Sequence, residues 1–439
     1  MRVASECVLG ILRMIRAYRC SMHREEGIDM PTTVVSFIGT GQKISPQDPR
    51  SGYRTTTYRF ATRNGGEFLH QTSLFGIALL RFLHNASTPI DRWIVLGTSA
   101  SLWSELNQVL PNPDEVIEQY CQIDDRVAAR NVDVEALQSW QNTLNGHAAP
   151  LELRLCLTGE ALDPQSQQQI ARALFVNIPH NNDVVFDISH GFRHQPVIST
   201  FIVSLMRWTH RIRQVSFYSG VFEARQGDVT PVLELPICQD LVDATEAAAI
   251  LDVTGNYEPV ARCLDRNAEL AWFLENTNQL GNARTQAQQL LTLATGTADV
   301  VDAQLAALLQ VRLQWSNGAS FADRVLQSAD TAIERGDFFR AIILTYEAIL
   351  IRAGQLLYPT ADPLNHQTRQ DAENVLFSRL AGDDRGLFRD LQHTRNACAH
   401  GTRSDRASVQ QILRNPLDFR HLIQRAMDLF HRLQQLLGT

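Results

Sequence analysis

The chain has 439 residues, 44% hydrophobic and 20% charged, which is enough for two or three globular cores and rules out a peptide module or a disordered protein. A mean hydropathy of -0.17 and no unbroken apolar run near twenty residues argue against a membrane span. Seven Cys, scattered from Cys7 to Cys398 without a C-x-x-C pair, argue against a disulfide scaffold or a structural zinc site and fit a reducing cytoplasm.

In chain order, the first thirty residues carry a short apolar stretch, Val8 to Ile15, broken by Arg13 and flanked by Arg2, Arg16 and Arg19. It has neither the apolar core nor the cleavage site of a secretory signal. Met30-Pro31 directly precedes a strand pattern, so residues 1–30 read as an extension with the natural start near Met30. From Thr33 to about Leu235, β-branched runs recur at Thr33 to Ile38, Trp93 to Leu96, Leu151 to Leu157, Val184 to Ile188 and Val215 to Tyr218. Amphipathic stretches such as Glu67 to Asn85 and Pro196 to His210 separate them. Strands joined by helix-length connections pair in parallel, which predicts a Rossmann-like, doubly wound α/β sheet over residues 31–236. Arg54 to Phe60, rich in Thr and Tyr, is expected to add a hairpin near the first strand.

After Pro236 the apolar period becomes 3.6 residues and strand signals stop. Val300 to Trp315, Phe338 to Tyr358, Leu387 to His400 and Leu417 to Leu437 read as helices of an all-α bundle, punctuated by Gly255, Gly281, Gly318, Gly336 and Gly382. Asp337 is placed to cap the helix that follows it. Residues 237–318 read as a helical connector and 319–439 as the terminal bundle. Net charge is -7, so the whole chain is not an electrostatic nucleic-acid binder, yet Arg379 to Arg432 holds ten Arg against six Asp and no Glu. A polyanion is expected at that end. Lys43 is the only lysine, so almost all positive charge is carried by Arg, whose planar fork suits phosphate, although a GC-rich genome gives the same bias.

Three turns of the α/β half can carry chemistry. Phe37-Ile38-Gly39-Thr40-Gly41-Gln42 leaves the first strand where an open sheet offers backbone N–H groups to a ligand, with a plain tight turn as the equal alternative. Ile44 stands where a dinucleotide fingerprint has its third glycine, which counts against a nicotinamide or flavin oxidoreductase. Leu96-Gly97-Thr98-Ser99 repeats the design, with Ser99 expected as a helix cap. The strongest signal is Phe186-Asp187-Ile188-Ser189-His190-Gly191-Phe192-Arg193-His194-Gln195-Pro196. Here a buried strand ends in Asp187 and Pro196 is expected at the first helical position. A hydroxyl, two imidazoles and a guanidinium beside helix N–H groups suit a phosphate or a purine edge. The alternative is an Asp-capped loop with Arg193 salt-bridged to it.

In the helical half, Arg395-Asn396-Ala397-Cys398-Ala399-His400-Gly401 places Arg and His in an R-x4-H spacing late in a helix that Gly401 can end. Asn396 and His400, four apart, share a face. A capped helix with a polar interface is the bland alternative. The chemistry such a pair supports is RNA cleavage: the 2′-hydroxyl is the nucleophile, imidazole handles protons and guanidinium stabilises the phosphorane, with no metal required. One such histidine per chain predicts a composite site across the two-fold axis of a homodimer, or one histidine with substrate-assisted protonation.

The Gly-Thr-Gly turn, the Leu-Gly-Thr turn, Asp187 to Arg193 and Tyr218-Ser219-Gly220-Val221-Phe222-Glu223 together resemble the CARF domain of CRISPR-associated proteins. The R-x4-H in a following helical bundle is similar to the HEPN ribonuclease domain. The resemblance implies an ancillary endoribonuclease of type III CRISPR antiviral defence, cytoplasmic and homodimeric, that cleaves single-stranded RNA when a cyclic oligoadenylate, tetra- or hexa-adenylate, binds the paired CARF domains. It further implies Gly39, Thr40, Gly41, Gln42, Thr98, Ser99, Asp187, Ser189, His190, Gly191, Phe192 and Arg193 as ligand residues and Arg395, Asn396 and His400 as catalytic ones. A ligand-sensing regulator without nuclease activity, and a sensor that degrades its own activator through Ser189 and His190, stay open as alternatives.

Overall fold

Six consecutive buried residues, Thr-Thr-Val-Val-Ser-Phe, form strand β1 (Thr32–Phe37). A strand hidden on both faces belongs between two helical layers. The computed structural model, which describes residues 31–45, 52–293 and 299–438, has that arrangement. The extension expected over residues 1–30 lies outside the described residues. The chain divides into two units at Gln239 and Asp240.

In the first unit β1 is joined by β2 (Thr56–Ala61), β3 (Glu67–Thr72), β4 (Ile90–Gly97), β5 (Glu152–Leu157), β6 (Asp183–Asp187), β7 (Val215–Gly220) and β8 (Val229–Glu234). They form one eight-stranded sheet in the order β3-β2-β8-β7-β6-β1-β4-β5. The five strands from β7 to β5 are all parallel. At the other edge β8 runs antiparallel to β7, β2 parallel to β8, and β3 antiparallel to β2. The hairpin expected near the first strand therefore forms, but beyond β8, with three strands between it and β1. Glu67 to Thr72, read above as the start of a helix, is the second arm of that hairpin. Its exposure alternates with the period of two that a strand requires.

Helices α1 (Phe75–Asn85), α2 (Ile117–Ala128) and α3 (Val134–His147) pack on one face against Val34, Trp93 and Val95. Helices α4 (Pro164–Asn177) and α5 (His194–Thr209) pack on the other against Val35, Ile94 and Phe186. The sheet is doubly wound. Neighbouring strands β1 and β6 send their connections to opposite faces, β1 toward α1 and β6 into α5. Such a switch point leaves a crevice at the carboxyl ends of the two strands.

The second unit is helical, with no strand among the described residues after Glu234. Helix α6 (Pro236–Thr254) spans the division. It is followed by α7 (Glu258–Cys263), α8 (Glu269–Asn276), α9 (Leu280–Leu293), α10 (Val300–Arg312), α11 (Phe321–Glu334), α12 (Phe338–Leu357), α13 (His366–Arg379), α14 (Gly382–His400), α15 (Ala407–Ile412) and α16 (Pro416–Leu437). Asp337 accepts the Arg340 N–H at 3.0 Å and caps α12. Gly401, at φ 62°, ends α14 in the left-handed conformation that glycine adopts without strain. Gly281 sits in the first turn of α9 rather than between helices. Helix α12 is buried on nearly all sides, packed by α11, α13, α14 and α16. A helix apolar all round is a central helix. One hydrophobic cluster runs from Ala244 to Leu437, so residues 237–318 and 319–439 share a core. Among the described residues no helix is long and apolar enough to cross a membrane.

Candidate functional site

At the switch point the turn after β1 and the turn after β4 are tied to each other. The Leu102 N–H donates to the Gly39 carbonyl at 2.9 Å, and the buried Ser101 hydroxyl donates to the Ile38 carbonyl at 2.8 Å while accepting the Thr98 N–H at 2.9 Å. Gly41 has φ +61°, and a Cβ there would lie 2.3 Å from Leu102 Cδ1. Close approach of the two turns therefore demands glycine. Thr40, Gly41 and Gln42 are exposed, with Gln42 Oε1 accepting from Arg54 at 3.3 Å. Thr98 is spent on its own turn, where its hydroxyl accepts the Ala100 N–H at 3.3 Å. Ser99 is exposed and caps no helix. The next helical turn, Ser104–Val109, follows Trp103 without a side-chain cap, so the cap expected of Ser99 does not form, and Ser101 instead braces the two turns.

The turn after β6 is anchored from below. Asp187 is fully buried; Oδ1 accepts the Ser189 N–H at 2.8 Å, whereas Oδ2 has no hydrogen-bond partner. Burial pushes its carboxyl up to about 7, against the opposing pull of the Ser189 hydrogen bonds. The Ser189 hydroxyl accepts the Gly220 N–H at 2.7 Å and so binds the turn to the end of β7. His190 turns inward: its Nε2 is 3.5 Å from the Phe75 N–H at the start of α1, and its ring packs on Phe222. Burial lowers its pKa to about 4, so at neutral pH it is an uncharged acceptor. Gly191, at φ +87°, passes so near β1 that a Cβ would lie 2.9 Å from Phe37 Cβ.

Helix α5 begins at His194, and Pro196 is its third residue rather than its first. The missing N–H costs nothing there, because the first turn has no intrahelical acceptors. The buried Gln195, overlooked in the sequence, holds the turn: Oε1 accepts the Phe192 N–H at 3.1 Å and Nε2 donates to the Gly159 carbonyl at 3.1 Å. Arg193 is exposed and makes no hydrogen bond or ion pair among the described residues, so the salt bridge to Asp187 weighed as an alternative does not form. Phe192 beside it is 40% exposed. The outward groups at this edge are thus Arg193, Phe192, Ser99 and the Thr40 to Gln42 turn. Asp187, Ser189 and His190 hold the frame beneath them.

In the second unit Arg395, Asn396 and His400 lie in the last turns of α14. Arg395 donates to Asn396 Oδ1 at 2.9 Å, approaches Glu347 at 3.6 Å and covers the Tyr346 ring, so its guanidinium is fixed. Arg369 pairs with the same Glu347, and its pKa is lowered by burial and by Arg395. Tyr346 and Gln392 both donate to Glu373. His400 is exposed, about 140° around the helix from Arg395 but in register with Asn396. The exposed His393 falls in the same row, seven residues before His400, and the exposed Arg389 extends it one turn earlier. The i, i+3, i+7 spacing in the sequence was the available signal for His393; Glu347 and Arg369 lie on other helices and had none. Among the described residues no group of three or more His, Cys, Asp or Glu is placed to hold a metal ion.

No protein-family model and no curated protein matches the chain. Among solved structures it is similar to "Enterococcus italicus Csm6 bound to cyclic hexa-2'-fluoro-hexa-dAMP", at 11% identity over 92% of this chain and 98% of that one, with a TM-score of 0.28. At that score the likeness adds no weight to the geometry, and what the chain shows by itself is a doubly wound α/β unit with three polar turns at its switch point, followed by an all-helical unit with an exposed basic row.

Proposed function

We propose that this chain is a CARF–HEPN endoribonuclease: a cytoplasmic homodimer that cleaves single-stranded RNA without a metal when a cyclic tetra- or hexa-adenylate binds its α/β unit, in type III CRISPR antiviral defence. The observation that carries the reading is the row on α14, where the exposed Arg389, His393 and His400 and the half-buried Asn396 line up with the anchored Arg395 alongside. A basic, imidazole-bearing ridge fits a phosphodiester backbone. The first unit supplies a sensing edge in Arg193, Phe192 and the Thr40 to Gln42 turn. For self-association α5 offers an apolar ridge of Val197, Phe201, Leu205 and Trp208, exposed by 57, 75, 54 and 62%.

In the cleavage step the RNA 2′-oxygen forms a bond to the adjacent phosphorus and gives its proton to one imidazole. The bond from phosphorus to the 5′-oxygen breaks, and a second imidazole protonates the leaving oxygen. Arg395 neutralises the charge gathering on the non-bridging oxygens. His400 is one imidazole; the other is His400 of a second copy or His393 of the same chain. Activation requires the cyclic ligand to favour the cleaving arrangement by several kcal/mol. Ser189 and His190 are spent on the Gly220 and Phe75 N–H groups, so self-degradation of the activator is not assigned to them.

Incubation of labelled RNA with the chain, a chelator and each cyclic oligoadenylate is the direct test. Ligand-dependent fragments ending in a 2′,3′-cyclic phosphate are expected. Ligand binding without cleavage would replace this reading by that of a regulator.

A further inference from the structure

A second cationic site lies in the helical unit, on residues that the proposed RNA cleavage does not use. A cavity of about 240 Å³ is lined by Gly255, Glu275, Arg312, Ser328, Arg335 and Arg340, among others. It opens between the carboxyl ends of α6, α10 and α11 and the start of α12, with Thr254 and Asp337 exposed at its rim.

Two of its three guanidiniums have internal partners. Arg312 donates to the Gly255 carbonyl at 2.9 Å and to Glu275 at 2.5 Å; Arg340 donates to the Glu275 carbonyl at 3.0 Å and to its carboxylate at 3.1 Å. Both also neutralise helix carboxyl ends, as arginines commonly do. Asp337, the other acidic side chain of the lining, spends Oδ1 on the Arg340 backbone N–H. Arg335 has nothing. It is half-buried and makes no hydrogen bond or ion pair among the described residues, and its guanidinium fills the space that Gly255, at φ +74°, leaves free. Its pKa is lowered by burial and by Arg312, against the opposing pull of the nearby Glu275, Asp252 and Glu334 carboxylates, none of which is within ion-pair distance. Ser328, only 5% exposed, adds a buried hydroxyl with no partner, and Arg340 Nε is likewise unsatisfied. Buried polar groups are almost always satisfied, so these unmet donors, beside the one unmet acceptor Glu275 Oε2, imply an occupant that chiefly accepts.

The geometry points to a binding site for a phosphate-bearing small molecule in this cavity, held by Arg335 together with Arg312, Arg340 and Ser328. Guanidiniums and a hydroxyl lining one cavity match the acceptor oxygens of a phosphate group. The volume equals that of about eight waters, which leaves room for a small organic moiety beside the phosphate.

Isothermal titration of the full chain with inorganic phosphate and with ribose 5-phosphate tests this. One saturable site per chain is expected, tighter for the ester. Arg335→Gln, whose side chain has no hydrogen bond or ion pair to lose among the described residues, should weaken binding at least tenfold with an unchanged circular-dichroism spectrum. Ser328→Ala should weaken it several-fold, and Arg193→Gln should leave it unaltered. Water-only filling, seen as no saturable heat from either probe at millimolar concentration, overturns the assignment, as does undiminished binding by both Arg335→Gln and Ser328→Ala. Neither probe is a cyclic oligoadenylate and no RNA is present, so failure here leaves the proposed ribonuclease reading untouched.

Discussion

The Phe75 backbone N–H at the start of α1 lies 3.5 Å from Nε2 of His190, which ties the turn after β6 to a helix more than a hundred residues earlier in the chain. Only the neutral imidazole can accept there. Its folded pKa of about 4 lies below the ordinary value of 6.5, so between those pH values the unfolded chain binds a proton that the folded chain refuses. The contribution is fully present above pH 6.5 and is lost as pH falls toward 4.

Asp187 acts with the opposite sign. Its folded pKa of about 7 exceeds the ordinary 3.8, so the folded chain holds the extra proton, and stability from this group is present below pH 3.8 and lost as pH rises through 7. The two slopes oppose each other. Asp187→Asn keeps an acceptor for the Ser189 N–H and removes one slope. Urea denaturation should show the variant gaining on the wild type by a few kcal/mol between pH 4.5 and 8. A constant gap across that range would refute the buried-acid account.

Gly191→Ala should cost about 1–3 kcal/mol, because it adds a positive-φ penalty and a Cβ 2.8 Å from Gln195 Oε1. Gly39→Ala is the control. Nothing lies within 4 Å of a Cβ at Gly39, so chemical denaturation should find it within about 0.5 kcal/mol of the wild type.

Arg193→Ala should leave the melting temperature unchanged and weaken cyclic oligoadenylate binding at least tenfold, since its guanidinium is exposed and unpartnered. Ser101→Ala should behave in reverse. It removes a buried hydroxyl that joins two turns, at about 1–3 kcal/mol of stability. Anisotropy titrations beside thermal melts separate the two effects.

His400→Ala should lower the RNA cleavage rate by about 10²- to 10⁴-fold without altering activator affinity. The same measurement on His393→Ala decides the source of the second imidazole. A comparable loss places both in one chain, whereas wild-type cleavage places the second in another copy. Arg395→Ala should also lose cleavage, and an active variant would remove the nuclease assignment.

Glu275→Ala should destabilise the helical unit by about 3–5 kcal/mol. Glu275 is 1% exposed and Arg312 4% exposed, so deleting the carboxylate strands a buried guanidinium. Calorimetry of the variant checks the value.

Local periodicity made most elements legible. Phe338 to Tyr358 announces α12 because nearly every face of it is apolar, and Asp337 and Gly401 act at the helix ends as their types predict. The failures share one cause, which is dependence on distant partners. Glu67 to Thr72 is a strand because β2 lies beside it, and Ser101 rather than Ser99 braces its turn because the Ile38 carbonyl is within reach. Likewise the motif from Asp187 to Arg193 carries seven residues of apparent ligand chemistry, yet only contacts to Gly220, Phe75 and Phe37 reveal which of them face inward. Glu347 on α12, which pairs with both Arg395 and Arg369 of α13, leaves no trace in the spacing around R-x4-H.

The apolar cluster that runs unbroken from Ala244 to Leu437 has a practical corollary for anyone wishing to isolate the helical half. Cutting near Gly318 would strip neighbours from α11 and sever the Glu275 to Arg340 ion pair, so a fragment starting there should be insoluble, while one starting near Pro236 should melt in a single step.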